Sequence, residues 1–201
     1  VSGAFNPLDM ENLAQSIVTR IEQMEPVPLD DVPAFRGAGV YAIYYSGEFG
    51  PYAQLTAVNK NPPGHPIYVG KAVPAGGRRG LEAVEHTNTT ALVSRVRQHA
   101  NSVRAVENLD IAFFTVRWLV VEDIWIPLGE SAMIRRYRPV WNALLDGFGN
   151  HDPGRGRIHG VRSMWDTLHP GRPWATKYPE RDDTATEISR DVAQYLADRL
   201  G

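Results

Sequence analysis

The sequence predicts an α+β protein, a small antiparallel sheet flanked by helices, with loop insertions and terminal helices, on three observations. Two short β-branched and aromatic runs, GVYAIYY at 39–45 and IYVGK at 67–71, are opened or closed by glycine and separated by loop-rich sequence. A third run, DIAFFTVRWLVV at 110–121, is the longest strand-like stretch in the chain. Helical periodicity lies between and after them, so the order β, β, α, β, α points to helices packed on an antiparallel sheet. At 201 residues the chain is expected to form one domain.

In chain order, residues 8–25 place Leu8, Leu13, Ile17 and Ile21 near one helical face, with Asp9 as N-cap. Pro26, Pro28 and Pro33 then mark a linker. GVYAIYY reads as a strand with Tyr41, Ile43 and Tyr45 on one face and Val40, Ala42 and Tyr44 on the other. Residues 46–65, with three glycines and three prolines, are expected to be mostly loop, with a short element at 52–58. IYVGK is expected to pair antiparallel with the first strand. After an irregular stretch at 73–90, residues 91–103 form a helix begun by a Thr-rich turn, with Arg95 and His99 on one side. The strand at 110–121 is expected to be central. Residues 127–137 read as a helix with proline in its first turn and Pro139 as its stop. The stretch 146–173 is rich in glycine, proline, histidine and arginine and reads as irregular, and 184–200 closes the chain with an amphipathic helix. The core spans about 36–145, with insertions at 46–65 and 73–90 and an elaboration at 146–201.

Composition excludes several chemistries. The chain has no cysteine, so disulfides, zinc–thiolate sites and cysteine nucleophiles are out. The first residues, VSGAFNPLDMENL, lack the basic and apolar regions of a signal peptide, and no apolar run approaches the ~20 residues that span a bilayer. A cytoplasmic protein is expected, with no membrane partner. Net charge is −2, but it is unevenly placed. Residues 1–31 carry six acids against one arginine, and 179–201 carry six against three, whereas 32–178 carry 17 Lys and Arg against 11 acids. Acidic ends therefore flank a basic middle of the kind that could meet nucleic acid, although a solvated surface explains the same numbers.

Taken singly, the polar residues of the core have ordinary explanations. Tyrosine is common in strands, where Tyr41 and Tyr68 would simply pack. Gly70 could mark a strand end or bulge, Lys71 a solvated surface, and Arg95 with His99 a decorated helix face. Glu130 near a helix start suits the macrodipole, and Asn142 after a proline suits a cap or turn. Their order and spacing are less ordinary. GVY at 39–41, YVGK at 68–71, an arginine on the next helix, Glu130, and RPVWN at 138–142 together resemble the GIY-YIG nuclease superfamily. ESAMIRRYRPVWN is similar to that family's glutamate helix, with its asparagine twelve residues after the glutamate. Both motif isoleucines are valine here, and the segment between the tyrosine motifs is longer than is usual in the family.

The resemblance implies phosphodiester hydrolysis with a divalent cation. Glu130 would hold Mg²⁺, or another divalent cation such as Mn²⁺, and Arg95 would stabilise phosphate charge. A free phenol ionises near pH ~10, so a tyrosine acting as base needs a cation nearby or a proton acceptor. Lys71 and Arg95 would supply charge and His99 would take the proton. Tyr41 or Tyr68 activates the water while the other orients it, and residue types alone do not choose between them. Asn142 positions the glutamate helix or binds phosphate.

The inserted and C-terminal segments carry Arg78, Arg79, Arg155, Arg157, His159 and Arg162, groups suited to DNA phosphates or guanine edges. The chain is similar to GIY-YIG type II restriction endonucleases, particularly those that cut CCGCGG. That likeness implies double-stranded DNA as partner and a homodimer matching the two-fold symmetry of a palindrome, with the terminal helices as candidate dimer elements. The alternatives are a structure-specific or repair-type nuclease of the superfamily and a catalytically inactive DNA-binding protein.

Overall fold

A computed structural model describes residues 9–74, 88–150 and 160–201. Its sheet contains β1 (Val27–Pro28), β2 (Gly39–Tyr45), β3 (Tyr68–Ala72) and β4 (Phe114–Val120), all antiparallel, in the order β1-β4-β2-β3. The strand expected to be central is interior, together with β2, and β3 lies at an edge. All seven residues of β2 are buried, because helices cover both faces of the sheet. This is why GVYAIYY shows no polar alternation.

Two apolar clusters lie on the two faces. Tyr41, Ile43 and Tyr45 pack with Leu92, Val96, Ala100 and Val103 of α3 (Ala91–Arg104). Val40, Ala42 and Tyr44 pack with Val18 and Ile21 of α1 (Met10–Glu22) and Ile126 and Met133 of α4 (Ile126–Tyr137). The facing expected from the period of two is therefore the facing observed. Residues 46–65 contain a 3₁₀ turn at Gly50–Tyr52 and α2 (Ala53–Val58), against which the last helix packs.

Helix α4 carries Pro127 in its first turn and ends at Arg138, whose φ of 44° is left-handed. Pro139 then opens the short α5 (Val140–Ala143). Three elements went unread in the sequence, the four-residue α5 among them. β1 is a two-residue pairing inside the proline-marked linker, too short to show a period. α6 (Met164–Leu168) is a single turn or so, capped by Ser163, whose hydroxyl accepts from Asp166 N–H. The expected strand at 110–121 begins later. Asp110 accepts the Ala112 amide and winds Ile111–Phe113 into a 3₁₀ turn before the strand starts at Phe114.

The closing helix α7 (Ala185–Leu200) starts in a capping box between Thr184 and Glu187, and buries Ile188, Val192 and Leu196 in its own chain's core. α1 likewise spends its apolar face on α4. Both terminal helices thus complete the monomer. Among the described residues no helix is long and apolar enough to cross a membrane.

Candidate active site

Tyr41 and Tyr68 stand on neighbouring strands with their side chains on the α3 face. In the β2–β3 register Tyr41 lies opposite Gly70, and the two rings are 6.2 Å apart. The glycine is a steric requirement of that pairing. A Cβ at position 70 would run into the phenol oxygen and ring of Tyr41, so the second motif leaves room for the tyrosine of the first. Tyr41 is fully buried, whereas Tyr68 is partly exposed.

The helix behind them supplies a base and a cation. Tyr41 Oη lies 2.6 Å from His99 Nε2, and the His99 ring packs 5.2 Å from that of Tyr68. Burial pushes the Tyr41 phenol well above its ordinary pKa, the neighbouring Tyr68 pushes it further, and the charge and hydrogen bond of Arg95 oppose them. Tyr68 is also raised by burial, with Arg95 pulling it down, Glu130 pushing it up and a hydrogen bond from Tyr41 lowering it. One guanidinium therefore serves both phenols. A loop at 147–150 closes over this group: Arg95 Nη2 donates to Gly149 O at 2.8 Å, and Phe148 stacks on His99 with ring centres 4.5 Å apart. A Cβ on Gly149 would come within 2.9 Å of the Tyr68 hydroxyl.

Around the edge formed by β3 the chemistry changes sign. Strand alternation sends Lys71 to the face opposite Tyr68, where its Nζ pairs with Glu130 Oε2 at 2.6 Å. Lys71 thus compensates the carboxylate directly, while Arg95 is the cation beside the phenols. Asn142 reaches β3 from α5. Its Oδ1 accepts Val69 N–H and its Nδ2 donates to Val69 C=O, both at 2.8 Å, and Trp141 N–H donates to Ile67 O at 3.0 Å. With both ends of the amide on the strand, Asn142 fastens β3 to α5.

Residues 33–196 match the family model described as the Eco29kI GIY-YIG domain. The chain belongs to that family. A search of curated proteins finds no match. The GIY-YIG match makes the protein a nuclease of restriction-endonuclease type, a class that acts on DNA. It also reaches past the expected core of about 36–145 into the C-terminal region, which contains the loop over His99 and Arg95.

Glu130 fits the cation that the family resemblance implies. It is partly exposed at an open edge and already arranged to face a positive charge, that of Lys71. Among the described residues no three His, Cys, Asp or Glu cluster. A single carboxylate with open positions suits Mg²⁺ or Mn²⁺, which keep waters and accept phosphate oxygens.

Of the residues expected to meet DNA, Arg78, Arg79, Arg155, Arg157 and His159 lie outside the described residues. Arg162 precedes α6, with Nη1 3.8 Å from Glu180 and its amide donating to Pro179 O. Phe148 and Gly149 escaped the sequence reading, because nothing in LDGFGN distinguishes a loop that covers a site from any glycine turn.

Proposed function

We propose that this GIY-YIG nuclease is a type II restriction endonuclease that hydrolyses both strands of double-stranded DNA at a short palindrome, as a homodimer with a divalent cation. Eco29kI recognises CCGCGG, and the same site is the first to try here. One observation carries the catalytic reading: Tyr41, Tyr68, Arg95 and His99 form one hydrogen-bonded and ring-packed group beside the carboxylate of Glu130.

In this reading Tyr68, the more accessible phenol, faces the attacking water. Tyr41 lies beside it and is hydrogen-bonded to His99 Nε2, so once the Tyr68 hydroxyl turns to donate to Tyr41, a proton taken from water by Tyr68 is matched by transfer from Tyr68 to Tyr41 and from Tyr41 to His99. No isolated phenolate has to persist in a buried site, where desolvation disfavours it. Arg95 offers its donors to the phosphate oxygens. Glu130 would hold the divalent cation, which when bound would supply neutralisation of the charge that builds up in phosphodiester hydrolysis. Lys71 balances that carboxylate before the cation arrives.

Incubating plain plasmid DNA with and without Mg²⁺ tests the proposal. Discrete fragments whose mapped ends fall at CCGCGG are expected, only with metal. A smear, or cutting confined to flaps and branches, would favour the structure-specific alternative instead.

A further inference from the structure

We infer that Arg172, far outside both tyrosine motifs, is a positioning residue for the catalytic group, acting through the 147–150 loop. The inference rests on the nuclease reading of the site. Arg172 is 2% exposed and lies between the Trp165 and Trp174 rings, its guanidinium carbon 4.5 Å from each centroid. Its Nε and Nη2 donate to the two oxygens of Asp166 at 2.6 and 2.7 Å. Asp166 is itself buried and takes a further hydrogen bond from Ser163 Oγ at 2.6 Å.

A charge pair this deep is retained at a desolvation cost, and a packed apolar pair would serve stability as well or better. The remaining donors show what the arginine adds. Nη2 also donates to Gly147 O at 2.9 Å, and Nη1 donates to Phe148 O at 3.2 Å and Asn150 O at 3.3 Å. Three of the four loop carbonyls are thereby held by one rigid fork. The fourth, Gly149 O, accepts Arg95. Phe148, between two fastened carbonyls, stacks on His99 and meets Tyr68 edge-on, with centroids 4.9 Å apart. The loop therefore has one surface fixed by Arg172 and the other pressed on the proton acceptor and the phosphate-binding guanidinium. Misplacing such groups by about 1 Å is enough to cost roughly two orders of magnitude in rate.

The test compares Arg172→Lys with the wild type by single-turnover cleavage, DNA affinity in Ca²⁺, and the ring resonances of His99, which sense the Phe148 stack. Lysine keeps the charge and loses the fork. The expected result is a kcat at least ~10-fold lower with Kd within about twofold, together with displaced His99 resonances. Val18→Ala, a core truncation on the opposite face of the sheet, is expected to leave those resonances in place. Should Arg172→Lys not fold, Arg172→Met combined with Asp166→Leu removes both charges together and gives the same readouts. Unmoved His99 resonances overturn the inference, whatever the rate does. A loss of DNA affinity at unchanged kcat also overturns it, since Arg172 would then act on DNA. A wild type that cleaves no DNA refutes the nuclease reading alone, because the resonances report the loop independently of turnover.

Discussion

Gly70 ties the two tyrosine motifs together, and its substitution separates catalysis from binding at the scale of one methyl group. A Cβ there would overlap the Tyr41 phenol, so Gly70→Ala must push Tyr41 away from His99 or part the strands. Cleavage is expected to fall ~100-fold with DNA affinity little changed, measured by single-turnover kinetics alongside fluorescence anisotropy. Tyr41→Phe removes only the hydroxyl and the bond to His99. It is expected to lower the rate at least ~100-fold with Kd within about twofold, and retained turnover would remove Tyr41 from the chemistry. Glu130→Gln keeps shape and loses charge, so cleavage is expected to fail at all Mg²⁺ concentrations. At this scale the sequence was legible as a set of residues but not as an arrangement. Lys71 follows Tyr68 by three positions, yet strand alternation sends the two to opposite faces, and only the glutamate helix packed on the far face gives Lys71 a partner. Gly70 likewise read as a strand end, because the ring that occupies its space comes from 29 positions earlier in the chain.

Elements were more readable, where they were long enough to show a period. β2, α3, α4 and α7 fall within a residue or two of their expected bounds, because each buries a continuous face. β1 and α6 are too short for that signal, and the first four residues of the expected third strand are diverted by a local bond from the Ala112 amide to the Asp110 side chain. The edge strand β3 poses a different problem, that of unpaired backbone groups on its outer side. Asn142 answers it at Val69 by presenting a donor and an acceptor in place of a fifth strand. Asn142→Ala leaves both groups of a buried residue unpaired, at about 2–4 kcal/mol together, or a Tm lower by roughly 5–15 °C. Asn142→Asp keeps the acceptor and loses the donor, so its Tm is expected to fall between those of the wild type and Asn142→Ala in thermal unfolding at neutral pH. Equal losses in the two variants would mean that the contact with Val69 N–H, which Asn142→Asp retains, contributes nothing.

Over the whole molecule, the inserted segment, the α5 turn and the C-terminal region are joined by one buried polar chain, which makes folding sensitive to acid. Trp141 Nε1–H donates to Tyr52 Oη at 2.7 Å, and Tyr52 O–H lies 2.6 Å from His169 Nε2. His169 Nδ1 lies 2.8 Å from Asn108 Oδ1, which can only accept. Nδ1 therefore carries the proton, and Nε2 is the acceptor for the tyrosine. Every member is satisfied only while His169 is neutral. Burial first, and the charge of Arg172 second, lower its pKa from 6.5 to about 3. The unfolded chain gains a proton as the pH drops below 6.5 and the folded chain does not until about 3, so stability is complete above 6.5 and drains away between those limits. From pH 7 to pH 5 His169 alone should remove about 2 kcal/mol. His65, also lowered chiefly by burial, acts in the same direction. His169→Gln abolishes the titration at that position and is expected to flatten the acid side of the stability profile by that amount, even if its stability at pH 7 is reduced. Urea unfolding at pH 7 and pH 5 for both proteins decides the matter: parallel losses would show that the proton does not go where the hydrogen bonds place it. The same chain explains why the C-terminal region was opaque in the sequence. His169, Asn108, Tyr52 and Trp141 are spread over more than a hundred residues, and each is individually an ordinary polar or aromatic side chain until the fold closes them into one path.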